Sequence, residues 1–345
     1  MKVLDRLSLV YDSLGDDLSR MLYTYRLGYS LSGRNEMFVS KIIRTNFKLN
    51  SFYNMVENLV AKKVIYGAGT RGRRLFDVCP RGNFECFIDK NTDAGNYYKG
   101  IPVINTDDFL SSYNGEYIII TSSEYKLSML EVLKKYNVPE DKILNYCDVL
   151  DECYNDQYFD LPNICWCDEE VFVDMGCWNG DTDVLLKNKI GARLKKCIVF
   201  EASQGRFDIC KQKLEENKIN YEFIPKGAYS REGTLILKMA DDGQVSTNIG
   251  RKYAVDVTSL DVVLNGEGCT FIKMDIEGSE LEALIGSKDT IKQYAPKMAI
   301  AVYHKPEDIY TIPLKILEIN PNYKFYLRHY QHTSLETVLY AIPID

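Results

Sequence analysis

A short apolar strand that ends in an acid and runs into a glycine turn restricts the fold of this chain most. The run is Glu170–Thr182, EVFVDMGCWNGDT, in which Asp174 follows the apolar residues and Gly176 and Gly180 frame the turn. A strand–turn–helix unit of this kind brings a ligand to backbone N–H groups at a helix N-terminus, and glycine leaves room for close approach. The run therefore predicts an α/β domain with a ligand site at the carboxyl edge of its sheet.

A second acid follows at the distance expected of a ribose-binding residue. The apolar strand Lys196–Phe200 ends in Glu201, about twenty residues beyond the turn, where an acid accepts hydrogen bonds from two ribose hydroxyls. The turn spacing, Gly176-x-x-x-Gly180, departs from the Gly-x-Gly-x-x-Gly of dinucleotide folds. These two features together favour a nucleoside-containing cofactor other than a dinucleotide.

A third pattern supplies candidate catalytic groups. Asp275 and Glu277 follow the apolar strand that begins at Phe271, and His304 follows Val302 at the end of the next predicted strand. Because the carboxyl ends of parallel strands meet at one sheet edge, we expect these side chains to lie together. His304 suits general-base work near neutral pH. The alternatives are Asp275 or Glu277 as base, a divalent metal held by all three, or a hydrogen-bonded structural histidine; we expect no metal.

The motifs together resemble the FkbM family of methyltransferases over residues 169–345. They are the Asp174 glycine turn, Phe200-Glu201, Thr258–Asp261 and Lys273-x-Asp-x-Glu-Gly-x-Glu, in that order. The resemblance implies the sheet of a class I S-adenosyl-L-methionine (SAM) methyltransferase with a terminal antiparallel hairpin, and SAM as cofactor. It also implies methyl transfer to a hydroxyl oxygen of a sugar, glycan precursor or natural product. Ala202-Ser203 after Glu201 departs from the usual Pro-Asn, which leaves the detail of the adenosine pocket open.

The same resemblance assigns roles to individual residues. Asp174 would hold the amino group of the methionine moiety, directly or through water, and Glu201 would hold the ribose. Capping of the following helix is an equal alternative for Asp181 and Thr182. The full set of implied cofactor-binding residues is Asp174, Gly176, Asn179, Gly180, Asp181, Thr182, Glu201 and Ala228.

Residues 61–147 carry a separate α/β pattern with its own glycine turn. Gly67, Gly69 and Gly72 follow one strand, and Asp89 ends the next. By spacing, this pattern matches the dinucleotide fingerprint better than the turn at Gly176 and Gly180 does. The segment is too short for two mononucleotide halves, and it resembles the small Rossmann-like domains of sugar-modifying enzymes. Three interpretations stay open. The segment binds a nucleotide or nucleotide sugar, with Arg71, Arg73 and Arg74 available to the phosphate, or it is a scaffold for assembly, or it holds a redox cofactor.

Two other functions therefore stand beside the methyltransferase. One is an NAD-dependent sugar oxidoreductase with its active site in residues 61–147, although no Tyr-x-x-x-Lys pair follows the glycine turn. The other is a non-catalytic nucleotide-sugar-binding protein with a degenerate second domain. The second domain does not look degenerate, because it retains Asp174, Gly176, Gly180 and Glu201.

The chain divides into four predicted segments. With 345 residues, of which 46% are hydrophobic and 26% charged, it is long enough for two α/β cores. Residues 1–60 show helical periodicity and would cap the next domain or form a homodimer contact. Residues 61–147 form the small Rossmann-like domain, the acidic and irregular stretch 148–168 is the linker, and residues 169–345 form the methyltransferase domain.

Charge and composition restrict the partners. A net charge of −7 provides no field that attracts polyanions, so we expect no nucleic-acid substrate and a small-molecule or glycan acceptor. The ten cysteines are scattered and several sit in apolar strands, which favours buried thiols in a reducing compartment. No apolar run approaches the length of a membrane span. We expect a cytoplasmic protein.

Overall fold

The computed structural model describes residues 2–92, 96–161, 164–239 and 251–344. The chain forms two compact units. The large unit comprises Met1–Gly33, Tyr158–Arg328 and Leu335–Asp345, and the small unit comprises Arg34–Gln157 and His329–Ser334. Each unit contains a mostly parallel sheet, in keeping with the alternating strand and helix patterns of the sequence.

The small unit is built on a six-stranded sheet in the order β3-β4-β2-β1-β5-β6. Its strands are parallel except for the edge strand β3, which runs antiparallel to β4. Val64, Ile65, Ile118 and Ile119 are fully buried, as is typical of strands covered on both faces. The strands are β1 Lys63–Tyr66, β2 Phe84–Asp89, β3 Tyr97–Tyr98, β4 Ile101–Asn105, β5 Tyr117–Ile120 and β6 Ile143–Asn145.

The strand order of the small unit reverses direction at β1. The chain steps from β1 outward to β2 and β4, and then returns to the other side of β1 with β5. Such a reversal opens a crevice at the carboxyl ends of the strands, where ligands of open α/β sheets bind. The helices of this unit are α3 Glu36–Ile43, α4 Phe47–Asn58, α5 Thr70–Val78, α6 Thr106–Leu110, α7 Lys126–Lys135 and α8 Tyr146–Asp156.

The large unit is built on a seven-stranded sheet in the order β15-β16-β14-β13-β7-β8-β9. Its central strands β7, β8, β9, β13 and β14 are parallel, β16 runs antiparallel to β14, and an antiparallel hairpin closes the sheet. This arrangement confirms the predicted fold class. The strands are β7 Glu170–Met175, β8 Leu194–Phe200, β9 Tyr221–Ile224, β13 Phe271–Met274, β14 Lys297–Ala301, β15 Tyr323–His329 and β16 Thr337–Pro343.

A three-stranded sheet in the order β10-β12-β11 accompanies the main sheet. Its strands are β10 Gly227–Ala228, β11 Gly233–Met239 and β12 Arg251–Thr258, and β11 pairs antiparallel with β12. The predicted inserted hairpin is therefore present, and residues 240–250 lie outside the described residues. The helices of the large unit are α1 Val3–Asp12, α2 Asp17–Leu31, α9 Asp181–Ile190, α10 Phe207–Glu216, α11 Leu260–Leu264, α12 Glu280–Ile285, α13 Lys288–Tyr294 and α14 Asp308–Ile319.

The helical segment predicted for residues 1–60 contains four helices, which are divided between the units. In the large unit, the Ser19 hydroxyl on α2 accepts from the backbone N–H of Leu327 at 2.9 Å, and Asp16 pairs with Arg328 at 2.7 Å. Helices α3 and α4 belong to the small unit. Helical periodicity reveals an apolar face without revealing which core that face covers.

The stretch 148–168 is not irregular throughout, so this part of the prediction is wrong. Residues 148–156 complete α8, whose buried side chains Tyr146, Cys147, Leu150 and Cys153 recur at helical spacing. The Tyr146 hydroxyl hydrogen-bonds with the Tyr53 hydroxyl at 2.7 Å within the small unit. The acidic residues that suggested a linker alternate with these buried positions along the helix.

Two further element boundaries differ from the prediction. The helix predicted for Leu281–Tyr294 is two helices, α12 and α13, which meet at Gly286. A Cβ at Gly286 would lie 2.1 Å from the backbone oxygen of Tyr229, so the chain bends where it meets another segment. The strand predicted to end at His304 ends at Ala301, and His304 lies in the following turn.

Among the described helices, none is long and apolar enough to cross a membrane.

Candidate functional site

The glycine loop between β7 and α9 lies directly against the loop that follows β13. Gly176 has φ +91°, and a Cβ there would lie 2.0 Å from the backbone oxygen of Asp275. Gly180 is the N-cap residue of α9 and has φ +81°. Glycine adopts these conformations readily, and at Gly176 no side chain fits between the two loops. The loop that is predicted to hold the cofactor therefore adjoins the loop that carries Asp275.

Glu201 is fixed at the carboxyl end of β8. Its Oε2 accepts from the backbone N–H of Trp178, and its Oε1 accepts from the backbone N–H of Ser203, both at 2.8 Å. The residue is 7% exposed. A carboxylate oxygen accepts more than one hydrogen bond, so this anchored group keeps acceptor capacity for vicinal hydroxyls. Its position beside the glycine loop supports the ribose role that the sequence predicts.

Asp174 lies beneath the loop and makes internal contacts. The Lys273 ammonium donates to Asp174 Oδ1 at 2.8 Å and to the backbone oxygen of Gly176 at 2.6 Å. Burial alone would lower the pKa of Lys273, but the Asp174 and Asp275 carboxylates raise it well above its ordinary value. The predicted contact of Asp174 with the methionine amino group stays a prediction, since the residue is fully buried.

Asp183 on α9 completes this buried cluster, and the sequence analysis missed it. Burial first, and then the neighbouring Asp174 carboxylate, raise the pKa of Asp183 well above its ordinary range. The raised pKa favours the neutral, protonated form of Asp183 beside Asp174. Asp174 thus has the Lys273 ammonium on one side and a carboxylic acid near it on the other, at the start of the glycine loop.

The remaining predicted cofactor residues occupy the loop and its surroundings. The Asn179 amide donates to Asp181 Oδ2 at 2.6 Å, and Lys213 pairs with the other Asp181 oxygen. Thr182 is half-buried in the first turn of α9, and Ala228 is buried on β10. The contacts of Asn179 and Asp181 order the loop. Cofactor contacts of these four residues stay predictions.

Trp178 is a loop residue that the sequence analysis did not single out. It has φ +58°, and the Arg206 guanidinium stacks on its ring, with the guanidinium carbon 3.5 Å from the ring centroid. The exposed residue also supplies the backbone N–H that anchors Glu201. An aromatic residue inside a glycine turn was the signal that could have indicated it.

The three predicted catalytic residues converge, and a fourth acid joins them. His304 Nδ1 contacts Glu280 Oε1 at 2.9 Å, while His304 Nε2 lies 3.5 Å from Asp275 and 3.4 Å from Glu277. Glu280 is fully buried, and the backbone N–H of Ile276 donates to its Oε1 at 3.0 Å. One ring nitrogen is thus held by a fixed acid, and the other faces the two predicted acids.

The carboxylates determine the charge of this imidazole. Burial by itself would lower the pKa of His304, but the hydrogen bond to Glu280 and the charges of Glu280, Asp275 and Glu277 raise it to about 9. The ring is therefore protonated at neutral pH in the ligand-free protein. A cation that binds nearby would lower this pKa again.

Two tyrosines that the sequence analysis missed surround Asp275. The Tyr158 hydroxyl donates to Asp275 Oδ2 at 2.7 Å, and the Tyr303 hydroxyl donates to Oδ1 at 3.1 Å. Burial, and then the Asp275 carboxylate, raise the pKa of both phenols well above the ordinary value, so both remain donors. Tyr303 adjoins His304 in sequence, but Tyr158 lies in the stretch assigned to the linker, where no local pattern indicates it.

Two groups in the described part of the chain have the ligand types and spacing of metal sites, Asp174–Cys177–Asp183 and Asp275–Glu280–His304. In the first, the Lys273 ammonium supplies a cation at 2.8 Å from Asp174. In the second, the two nitrogens of the protonated His304 face different carboxylates. Each group therefore already has a cation of the chain itself beside its acids. The absence of a metal stays a prediction.

The small unit brings its predicted residues together at one cavity. Gly67, Gly69, Gly72 and Asp89 all line a cavity of about 630 Å³ at the carboxyl edge of the sheet. Of the three arginines predicted to be available to a phosphate, Arg71 also lines it. The other two have different partners. Arg74 pairs with Glu36 at 2.5 Å, and the Arg73 guanidinium lies 5.1 Å from the centroid of the Tyr98 ring.

Comparison with known protein families identifies two segments. Residues 179–329 match the family described as Methyltransferase FkbM domain. The chain carries an FkbM methyltransferase domain. It is therefore a SAM-dependent methyltransferase, as the motifs around Asp174, Glu201 and Asp275 predict. Residues 59–144 match the family described as C2185-like, N-terminal, which coincides with the small Rossmann-like segment.

Solved structures agree with the fold. A methyltransferase FkbM from Methylobacillus flagellatus KT is 19% identical, with 93% of this chain and 99% of that chain covered and a TM-score of 0.52. An O-methyltransferase from Bacillus cereus in complex with SAH is 11% identical, with coverages of 64% and 91% and a TM-score of 0.33. The second likeness is too distant to carry an argument. No curated protein matches the sequence.

The residues present fit the SAM that the FkbM domain requires. Gly176 and Gly180 both have positive φ, so the loop makes a tight turn at the end of β7. Glu201 presents a fixed carboxylate at the neighbouring strand end. The glycine loop, Glu201 and the His304 cluster lie at the same edge of the sheet. The loops that carry Gly176 and Asp275 are in direct contact there. One contiguous site can therefore contact the ribose, the methionine moiety and the reacting methyl group of SAM.

Proposed function

We propose that the large unit methylates a hydroxyl oxygen of a sugar, a glycan precursor or a natural product. One observation supports this proposal above the others. His304 lies between a buried acid on Nδ1, at 2.9 Å, and two acids on Nε2, at 3.5 and 3.4 Å, beside the cofactor loop. A hydroxyl must lose its proton as it is methylated, and a histidine oriented by an acid is a suitable proton acceptor.

In this proposal His304 is the general base and Glu280 is its positioning residue. The backbone N–H groups of Ile276 and Gly278 hold Glu280 Oε1, at 3.0 and 3.3 Å. Glu280 pairs with the protonated Nδ1, at 2.9 Å, which leaves Nε2 as the atom that receives the proton of the acceptor hydroxyl. Because the ring is protonated in the ligand-free protein, it must first lose its proton to act.

Asp275 and Glu277 orient the acceptor hydroxyl. Tyr158 and Tyr303 stay protonated and fix the Asp275 carboxylate by donating to it, at 2.7 and 3.1 Å. Glu277 has φ +56° and keeps its side chain 44% exposed, so a bound acceptor can reach it. A polyhydroxylated acceptor suits such a set of oxygen atoms, since each carboxylate accepts hydrogen bonds from hydroxyls.

SAM, when bound, supplies a methyl group on a positively charged sulfur. Glu201 would hold its ribose, and the Gly176–Gly180 loop would hold its methionine moiety. The reaction is then organised by proximity, because base, acceptor and cofactor loop share one edge of the sheet. The positive charge of the cofactor also lowers the pKa of a nearby imidazolium, which favours the neutral His304 that the reaction needs.

The test of this function is transfer of an isotope-labelled methyl group from SAM to a panel of acceptors. Sugars, nucleotide sugars, oligosaccharides and polyhydroxylated natural products are compared with amine and thiol acceptors, and the products are assigned by mass spectrometry and NMR. We expect an O-methyl ether with wild-type protein and at least about a hundredfold loss of turnover in His304→Gln, from removal of the general base.

The matched control for the catalytic acids is Glu307→Gln, which changes an exposed glutamate close to His304 in sequence. It should retain wild-type turnover. Methylation of nitrogen or sulfur acceptors alone, or full turnover in His304→Gln with a hydroxyl acceptor, would contradict the proposed reaction.

We propose a separate, ligand-binding role for the small unit. The support is the cavity of about 630 Å³, lined by the glycine turn and by Asp89. Of the functions considered from the sequence, nucleotide binding agrees with this location. The proton-donating Tyr-x-x-x-Lys pair that one class of NAD-dependent sugar oxidoreductase uses does not follow the glycine turn.

A further inference from the structure

We infer that the small unit binds a nucleoside diphosphate, with the ribose on Asp89 and the phosphates at the N-terminus of α5. The inference rests on the ligand-binding role proposed for this unit, and it is independent of the methyl transfer chemistry. The cavity lies at the carboxyl ends of β1, β2 and β5, at the point where the strand order reverses. Open α/β sheets bind nucleotides in that crevice.

Asp89 has the same pair of backbone contacts in the small unit as Glu201 has in the large one. Asp89 Oδ2 accepts from the backbone N–H of Ala68 in the glycine turn, at 2.8 Å, and Oδ1 accepts from the N–H of Asn91, at 3.0 Å. Glu201 likewise accepts from Trp178 in its turn and from Ser203 two residues beyond it. Both acids are therefore anchored with acceptor capacity left for vicinal hydroxyls.

The start of α5 is suited to an anion. The helix spans nine residues, its N-cap Gly69 supplies no side-chain hydrogen bond, and its first turn contains no acid. A Cβ at Gly69 would have no atom within 4 Å, so the cavity leaves open space against this backbone. Uncapped N–H groups and the helix dipole together favour a phosphate at this position.

The cations at the cavity support the same placement. Arg71 and Lys90 line it, and the Arg71 guanidinium is held by the Ser123 hydroxyl at 2.8 Å. Arg74, one turn along the same helix, is paired with Glu36. Arg71 is therefore the arginine available to a phosphate, and Arg74 is its natural control.

An independent observation indicates that the cavity receives a ligand. Thr106 lines it and is 4% exposed, yet its hydroxyl has no hydrogen-bond partner within the described residues. The neighbouring Tyr66 phenol interacts with this hydroxyl, but without the geometry of a hydrogen bond. A buried hydroxyl without a partner is costly, and a polar ligand group in the cavity would satisfy it.

The sheet favours one nucleotide over a dinucleotide. β1, β2 and β4 form one complete half, whereas the other side of β1 carries β5 and the three-residue strand β6. A dinucleotide needs a second nucleotide-binding half across the crevice. The small unit offers a complete site for a single nucleotide with its phosphates.

The test is calorimetric titration of the full-length protein with ADP, GDP, UDP and CDP. NAD and S-adenosylhomocysteine (SAH) are titrated in parallel, and each nucleotide titration is repeated with saturating SAH. We expect one nucleoside diphosphate to bind with a stoichiometry of one, equally well with and without SAH. Gly69→Ala is the sharpest variant, because its methyl group meets no protein atom and enters the space assigned to the phosphate.

Gly69→Ala and Arg71→Ala should each weaken nucleotide binding by about tenfold or more. Arg71→Ala removes a charged hydrogen bond to the phosphate, and Gly69→Ala fills part of the space that the phosphate would occupy. Arg74→Ala should bind like wild type, and all three variants should bind SAH normally. No binding of any nucleoside diphosphate, equal binding in Gly69→Ala, tighter binding of NAD, or competition by SAH would each overturn the inference. Loss of SAH binding alone would instead contradict the methyltransferase site and leave this one standing.

Discussion

The chemistry of His304 depends on side chains that sequence spacing does not bring together. Spacing predicted Asp275, Glu277 and His304 at one edge, because each follows a parallel strand. It did not predict Glu280, which contacts Nδ1 at 2.9 Å. Glu277 and Gly278 both have positive φ, and this tight turn returns Glu280 toward the histidine. Residues that a turn brings into contact show no periodic pattern in the sequence.

The pH dependence of turnover tests the role of this histidine. The pKa of His304 is raised to about 9, so the neutral form that accepts a proton is scarce at pH 7. We therefore expect kcat/KM for wild-type protein to rise with pH up to about 9 and to level off above it. In Glu280→Gln, a partner that raises the pKa is removed, so the rising limb should move to lower pH.

A pH-rate profile measured at constant ionic strength gives the result, with Glu307→Gln as control. A flat profile between neutral pH and pH 9, or an unmoved limb in Glu280→Gln, would contradict the assignment of His304 as base. One of the two carboxylates would then be the proton acceptor.

At the scale of elements, the sequence predicted strands better than their boundaries with helices. Buried parallel strands such as β1, β2 and β7 appear as short apolar runs that end in polar residues, and this signal is local. The break between α12 and α13 is not local, since it depends on contact between Gly286 and the backbone of Tyr229. The sequence analysis missed α8 because its acidic residues suggested a linker, although its apolar residues recur at helical spacing.

The pairing of β7 with β13 supports the site through one buried ion pair. Lys273 lies opposite Asp174 in the register, and their side chains are 3% and 0% exposed. Lys273→Met would leave a buried carboxylate without its cation, so we expect a loss of about 3–5 kcal/mol in the free energy of unfolding. Urea unfolding monitored by circular dichroism provides the measurement.

Lys195→Met is the matched control, because Lys195 pairs with Glu169 on the surface, with side chains 53% and 71% exposed. Its loss should not exceed about 1 kcal/mol. Equal stability changes in the two variants would show that the buried pair does not support the loop.

At the scale of the molecule, the sequence predicted two α/β sheets and their motifs, but not how the first helices are distributed. Residues 1–60 gave one helical pattern, whereas α1 and α2 belong to the large unit and α3 and α4 to the small one. The contacts that decide this, such as Ser19 with Leu327, join residues from opposite ends of the chain. Long-range contacts of this kind are invisible to local periodicity.

The central claim is that the large unit binds SAM through Glu201 at the carboxyl edge of its sheet. It is tested most directly by calorimetric titration of wild-type protein, Glu201→Gln and the exposed control Glu222→Gln with SAH. We expect one site with micromolar affinity in wild type and control. In Glu201→Gln we expect the affinity to fall by about tenfold or more, because an acceptor for a ribose hydroxyl is lost. No SAH binding by wild type, together with clear binding of NAD, would contradict the account.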